Sequence, residues 1–392
     1  MLALDDVDVI TFENGVSAPL CTRLLGDLGA EVIKVERPGT GDVNRQWDTA
    51  VRGESAAHVY ANRNKRSIEL DLKSSQGREI ALELSSKADV VVQNFSPGVL
   101  ERLGVGYDDV AARNDDVIYL NISGYGSTGP YSDRRAYDLV MQGETGLILM
   151  TGSPDEPAKL PVSVCDISAG MYGTMSILTA LYHRKRTGHG QKLEVDMFSS
   201  VLSWLSYLPL KYWYQGDIPQ RVGMRHHLLT PYGPFETADE EYVNFAVLSE
   251  AHWRRFCEEI VDRPGWVESD RFESNEKRVR NRDVLEPMIE EIIETMSREE
   301  LIEKLEANDI PWGNVNTLDE VLSHPVVEER DLIYEMETKV GDVKVIKHPM
   351  GFGAVDVQHN PMPDLGEDTD DILDEIGLTP EEIEELDRSG VI

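Results

Sequence analysis

An alternation in the first two hundred residues constrains this chain more than any other feature. Short apolar runs of strand character are separated by stretches with helical spacing. VDVITF (7–12), EVIKVE (31–36), DVVVQNF (89–95), DVIYLNISGYG (116–126) and KLEVDMF (192–198) read as strands. Helical spacing covers Val16–Leu28 (stopped by Gly29), Gly77–Lys87, Tyr107–Arg113, Ala136–Met150 and Ile167–Arg186. Strands this apolar need cover on both faces, and the intervening helices supply it. The pattern predicts an α/β fold with a mostly parallel sheet. In such folds ligands bind beyond the carboxyl ends of the strands.

The pattern changes near residue 200. WLSYLPLKYWYQG (204–216) reads as an aromatic-rich linker, and 232–248 as a hairpin turning at Ala238-Asp239-Glu240. Helical spacing follows at 250–262, 281–296 and 298–307, and VKVIKHPMGF (343–352) is strand-like. Thr379-Pro380-Glu381-Glu382 starts a last helix, with an N-cap, a proline at N1 and acids in the first turn. The resulting division is a large domain over 1–200, a linker at 201–225 and a small α+β domain over 226–325. A second linker at 326–345 returns the chain to the large domain at 346–392.

Charge narrows the partners. The 392 residues hold 72 acids against 38 lysines and arginines, a net −34. Only 13 of those 38 cations are lysines. One acidic tail does not explain this, because residues 355–392 carry 13 acids and one base, leaving −22 elsewhere. Acid spread over a folded chain, with lysine depleted, predicts a halophilic protein. At molar salt the Debye length is about 3 Å and self-repulsion is screened. The same charge argues against nucleic-acid or membrane partners, which recruit basic surfaces. No basic n-region opens the sequence and no run reads as a bilayer span, so the expectation is cytoplasmic. Cys21, Cys165 and Cys257 are scattered, with no metal or disulfide spacing. Residues 1–135 carry 15 cations against 21 acids, so a polyanionic ligand is expected there.

Four motifs stand out. Asp166, in VCDISAG, precedes a long helical stretch, and spacing alone favours a plain N-cap. The same position keeps a carboxylate ionised and able to attack an acyl carbon. GYGSTGP (124–130) follows a strand but matches no phosphate-binding pattern, and a tight turn accounts for it. RNKRSIELDLK (63–73) gathers Arg63, Lys65, Arg66 and Lys73, either a solvated basic face or a phosphate site. Arg225, His226 and His227 have no third ligand nearby, so no metal is expected, and an anion contact fits better.

Seven segments then line up in order: 25–42, 63–73, 92–107, 123–130, 136–152, 164–198 and 365–373. Together they resemble the class III CoA-transferases, the family of formyl-CoA transferase and the carnitine CoA-transferases. The resemblance covers nearly the whole chain. It implies a Rossmann-like large domain, a ring-shaped chain and an interlocked homodimer. It also implies coenzyme A as a substrate, with no permanently bound cofactor, and acyl-CoA and small carboxylic acids as partners.

By position, the resemblance makes Asp166 the nucleophile and Tyr137 a neighbour of the reacting centre. Arg37, Leu70, Leu72, Lys73, Asn94, Phe95 and Arg102 match the CoA-binding segments. Amides of the turn at Gly124 and Gly126 are candidates to stabilise an oxyanion. The family's racemase branch has His where this chain has Tyr137, which favours transfer over the alternatives: a racemase, or an intramolecular shuttle of CoA. A non-catalytic acyl-CoA-binding protein is the third possibility. The glycine run that covers the formyl-CoA transferase site is missing from GMRHHLLTPYG (223–233). The acidic composition and the resemblance together imply succinyl-CoA as donor and a dicarboxylate such as mesaconate as acceptor. Arg45, Arg225, His226 or His227 would hold the acceptor's second carboxylate.

Overall fold

A computed structural model describes residues 1–392. The chain divides into two compact units. The first comprises Met1–Gly146, Leu160–Tyr207 and Arg330–Ile392; the second comprises Leu147–Lys159 and Leu208–Glu329.

The first unit is built on six strands: β1 (Asp8–Phe12), β2 (Glu31–Glu36), β3 (Lys65–Glu69), β4 (Val90–Gln93), β5 (Ile118–Ser123) and β6 (Gln191–Asp196). Their order is β3-β2-β1-β4-β5-β6, and every pairing is parallel. The chain winds outward from β1 to β3, returns to the centre at β4 and winds the other way. β1 and β4 are therefore neighbours whose onward connections diverge, which opens a crevice at their carboxyl ends.

Both faces of the sheet are covered, which explains the unbroken apolar runs. Ile10, Phe12, Val91 and Tyr119 share a core cluster with Ile80 and Leu84 of the Ser75–Lys87 helix. The acidic C-terminal segment joins them through Leu373 and Leu386, so it belongs to the fold. Its last helix, Pro380–Arg388, starts as the sequence predicts, with Thr379 and Glu382 forming a capping box. On the opposite face lies the Val164–Thr187 helix. Its 24 residues are apolar and long enough to cross a bilayer by length and composition. It nevertheless behaves as a core helix: Ala169, Ile177 and Ala180 are buried against the sheet side. A Cβ at Gly170 would lie 2.7 Å from the Ser17 carbonyl oxygen. Only glycine lets this helix pack so closely on the Ser17–Asp27 helix.

The second unit has an antiparallel sheet of β7 (Tyr232–Glu236), β8 (Tyr242–Ala246) and β9 (Trp312–Asn314). Phe235, Phe245, Trp253 and Phe256 fill its core with Leu285, Ile289 and Leu301 from its helices.

Three local expectations need correction. The 204–216 stretch is helical over Leu208–Gln215. Pro209 is that helix's second residue, where the missing N–H costs nothing. Ala136–Met150 is two short helices, Asp138–Glu144 and Leu147–Met150, parted at Gly146 with φ +83°. Residues 147–159 group with the second unit, and the 326–345 stretch contains the hairpin Ile333–Met336 with Val343–Ile346.

Candidate active site

A cavity of about 620 Å³ opens at the crevice the topology creates. Its walls come from the segments leaving three strands. Asn14–Ser17 follows β1, Asn94–Pro97 follows β4, and Gly124 follows β5. Arg134–Leu139, Ser163 and Asp166 close it. Gly124 is required here, since a Cβ would come within 2.0 Å of Ala136 Cβ.

Asp166 is the one carboxylate the sequence singled out that faces this cavity. It is not an N-cap: the helix begins at Val164, so Asp166 is its third residue, and Ser163 occupies the cap. Its carboxylate accepts hydrogen bonds from the Ser17 hydroxyl and backbone N–H. Those bonds and the helix N-terminus favour the charged form. Burial opposes it, and the neighbouring Asp138 carboxylate adds to the opposition. The helix dipole contributes about 0.3–1 kcal/mol, less than the roughly 1.4 kcal/mol of a single pKa unit. Burial wins, and the carboxyl is pushed up to about 7.

Asp138 is held in place by its own bonds. Its Oδ1 accepts the Cys165 amide at 2.9 Å, and its Oδ2 accepts from Gln142 Nε2 at 2.7 Å. Burial, then Asp138, also pushes the Cys165 thiol up to about 12, so it is no nucleophile at neutral pH.

The loop that carries Ser17 is fastened from below by buried charges. Lys34 Nζ bonds Asp42 Oδ2 at 2.6 Å, and Asp42 Oδ1 accepts the Gly15 amide at 2.9 Å. Lys65 Nζ bonds Glu13 Oε1 at 2.6 Å, with both side chains fully buried. Burial raises the Glu13 carboxyl, but Lys65 and Lys34 outweigh it and hold it below the usual range. Asn94 completes the clamp. Its Oδ1 accepts the Asn14 amide at 2.9 Å and its Nδ2 donates to the Asn14 carbonyl at 2.8 Å.

The other expected residues divide. Asn94, Phe95, Tyr137 and Gly124 line the cavity with Asp166. Arg37, which follows β2, and Lys73, after β3, are exposed on the same carboxyl edge of the sheet. Arg102 is exposed on the Val99–Leu103 helix, and Leu72 packs partly against the core. Leu70 is 1% exposed inside the core, so it offers a ligand no surface. Gly126 donates its amide to Ser123 Oγ at 3.0 Å, which removes it as an oxyanion donor.

The basic stretch at 63–73 is mostly spent on internal ion pairs. Arg63 is buried against Asp27, and Arg66 meets Glu31, Asp368 and Glu375. Arg45 is likewise locked on Glu36, at 2.9 Å through Nε and 2.6 Å through Nη2. Neither group is free for a substrate anion. In the second unit Arg225 pairs with Glu286 and Glu290, and His226 stacks on Tyr232. His227 lines a separate cavity of that unit with Lys211 and Arg282.

Sequence reasoning missed Ser17, Asn14, Asp138, Arg134 and Arg135. Only the last two left a signal: adjacent arginines two and three residues before Tyr137, in an acid-rich chain.

Comparison with known proteins fits this geometry. The family model "CoA-transferase family III" matches residues 4–369. Human succinyl-CoA:glutarate CoA-transferase is 33% identical, covering 99% of this chain and 90% of the relative. Succinyl-CoA:mesaconate CoA-transferase of Haloarcula hispanica is 32% identical, covering 96% and 97%. Among solved structures, a CAIB/BAIF family protein from Brucella suis superposes with a TM-score of 0.83 at 32% identity, over 95% of this chain and 99% of that one. A whole-length family match, joined to a carboxylate at the sheet's switch point, leaves one assignment: the chain is an enzyme of CoA-transferase family III.

Proposed function

We propose that this enzyme moves coenzyme A from succinyl-CoA to a free dicarboxylic acid, with Asp166 as the nucleophile. The observation that carries this reading is the Asp166 carboxylate itself. It faces a cavity at the carboxyl ends of β1, β4 and β5, with a pKa near 7. Named relatives that use succinyl-CoA with glutarate or mesaconate support the substrate class.

The chemistry follows from a carboxylate in that setting. An oxygen of ionised Asp166 attacks the thioester carbonyl, the C–S bond breaks, and CoA thiolate leaves. The product is a mixed anhydride of Asp166 and succinate. The thiolate then attacks the Asp166 acyl carbon, releasing succinate and leaving an aspartyl-CoA thioester. The acceptor carboxylate attacks that thioester, giving a second anhydride and thiolate again. Attack by the thiolate on the acceptor's acyl carbon releases the new acyl-CoA and restores Asp166. Each step exchanges one carboxylate or thiolate for another, so no net proton is needed. Water must be excluded, because anhydrides hydrolyse.

Arg37 and Lys73 on the same sheet edge support a path for the nucleotide end of CoA. The interlocked homodimer belongs to the same proposal. Met171, Met175 and Tyr182 are 47%, 57% and 64% exposed on the Val164–Thr187 helix, an apolar surface for a second copy. So does operation in molar salt, supported by the net charge of −34; a cytoplasmic location is part of the same proposal.

The test is direct. Purified protein is mixed with succinyl-CoA and a panel of dicarboxylates in molar KCl, and new acyl-CoA is followed by mass. Transfer that requires an added acid supports the proposal. A product isomeric with the input, formed without any acid, contradicts it.

A further inference from the structure

We propose that Asn44, oriented by His58, is a positioning residue that holds the loop carrying Ser17 against Asp166. This rests on the reading of Asp166 as the nucleophile, and it adds two residues that lie outside the cavity wall.

Asn44 and His58 are both 0% exposed. Asn44 lies in the short turn Val43–Gln46, and His58 in the Ala56–Asn62 helix. They act on the loop at Gly15. Asn44 Nδ2 donates to the Gly15 carbonyl at 2.7 Å, while Asp42 Oδ1 accepts the Gly15 amide at 2.9 Å. Gly15 has φ +76°, the left-handed region where the chain turns. Glycine has more freedom to lose than any other residue, so these two bonds are what keep the turn in one conformation. Two residues later, Ser17 offers its amide and hydroxyl to Asp166.

The polarity of the bonds runs one way and starts at His58. At 2.7 Å from the Gly15 oxygen, Asn44 must present its NH₂ group, since two carbonyl oxygens at that distance repel. Its Oδ1 then faces His58 Nδ1 at 3.1 Å, so Nδ1 carries the ring proton. Asn62 Nδ2 lies 3.0 Å from the same Nδ1, but it has the His58 carbonyl to donate to at 3.1 Å. The opposite tautomer would bury an N–H at Nε2, which has no hydrogen-bond partner. Burial, then Arg45 and Lys34, push the imidazole down to about 3, so the ring is neutral at pH 7. Its single N–H is spent on Asn44, and Asn44 in turn is committed to Gly15.

The consequence falls on the nucleophile. Burial and Asp138 oppose the ionised Asp166, and the Ser17 bonds favour it. A loop that slips withdraws those bonds and leaves the carboxylate both misplaced and harder to ionise.

The test compares Asn44→Ala, His58→Leu, His58→Asn and the unaltered protein. Ile372→Ala serves as a control, in the buried core under the Thr369–Glu375 helix. Asparagine at 58 sets an amide N–H near the place of Nδ1. Transfer from succinyl-CoA to glutarate is followed across pH, at a salt concentration where the protein is folded, alongside melting temperatures. We expect Asn44→Ala and His58→Leu to lower kcat about 10- to 100-fold, with KM for succinyl-CoA little changed. The acid limb of kcat/KM should move to higher pH. His58→Asn should recover most of the loss, and Ile372→Ala should lower the melting temperature while moving neither kcat nor the limb. Variants that are less stable but keep the unaltered kcat and pH profile would overturn the inference. So would a His58→Asn protein no better than His58→Leu, or a loss confined to KM. If Asn44→Ala fails to fold, the two His58 variants decide. Acylation of Asp166 in the unaltered enzyme is read separately by hydroxylamine trapping. No hydroxamate there would sink the nucleophile, whereas a normal hydroxamate with unmoved variants would sink only this inference.

Discussion

Two sets of charged residues in the first unit invite comparison. One is the set of buried ion pairs: Lys34 with Asp42, Lys65 with Glu13, and Arg63 with Asp27. The other lines the cavity or adjoins it: Arg134, Arg135, Asp138 and Asp166. In the sequence the first set includes the more conspicuous cations, gathered in RNKRSIELDLK. In the fold, Arg63, Lys34 and Lys65 are buried with carboxylate partners at 2.6 Å. The second set is more scattered in the sequence, yet it lines the open space where a substrate would sit. A local excess of charge does not tell whether that charge is free. Pairing and burial decide it, and both are tertiary.

Asp166→Ala should abolish transfer, by at least about 10⁴-fold in kcat, while thermal unfolding still shows a folded protein. Retained turnover would remove Asp166 from the chemistry. Lys65→Met should do the reverse. It leaves Glu13 buried with one partner fewer, at a cost of about 3–5 kcal/mol in denaturant unfolding. A Lys65 variant of normal stability but weakened CoA binding would return that residue to the ligand site.

The alternation of apolar runs made the sheet legible, because strands β1, β4 and β5 are buried on both faces and carry little else. Asp166 was legible only through a resemblance. Its spacing alone suggested a cap, and the helix in fact begins two residues earlier. Ser17 and Asp138 could not be found at all. They reach Asp166 because Gly170 lets one helix settle on another and because Asp138 reaches the Cys165 amide. Closures of that kind have no periodicity to read. Leu70 was misplaced for a related reason: the chain segment does lie on the sheet edge, but this side chain turns into the core.

The raised pKa of Asp166 sharpens the contrast on the stability side. Its folded-state value is near 7 and its ordinary value is 3.8. The folded protein therefore holds a proton there that the unfolded chain releases. Stability from this group is present below about pH 4 and lost as pH rises through 7. Asp166→Asn removes that loss. The variant's melting temperature should match wild type near pH 4 and exceed it above pH 7. No pH dependence in the difference would mean that the carboxylate is well solvated. Activity should rise through pH 7 as the nucleophile ionises. The smallest effect belongs to the surface: Arg113→Ala breaks an exposed pair with Glu79 and should change stability by no more than about 1 kcal/mol.

Covalent capture of Asp166 is the most direct measurement. The enzyme is turned over with succinyl-CoA, trapped with hydroxylamine, digested and read by tandem mass spectrometry. The account predicts a hydroxamate at Asp166, dependent on the acyl-CoA. An unmodified Asp166 in an enzyme that is demonstrably transferring CoA would contradict it.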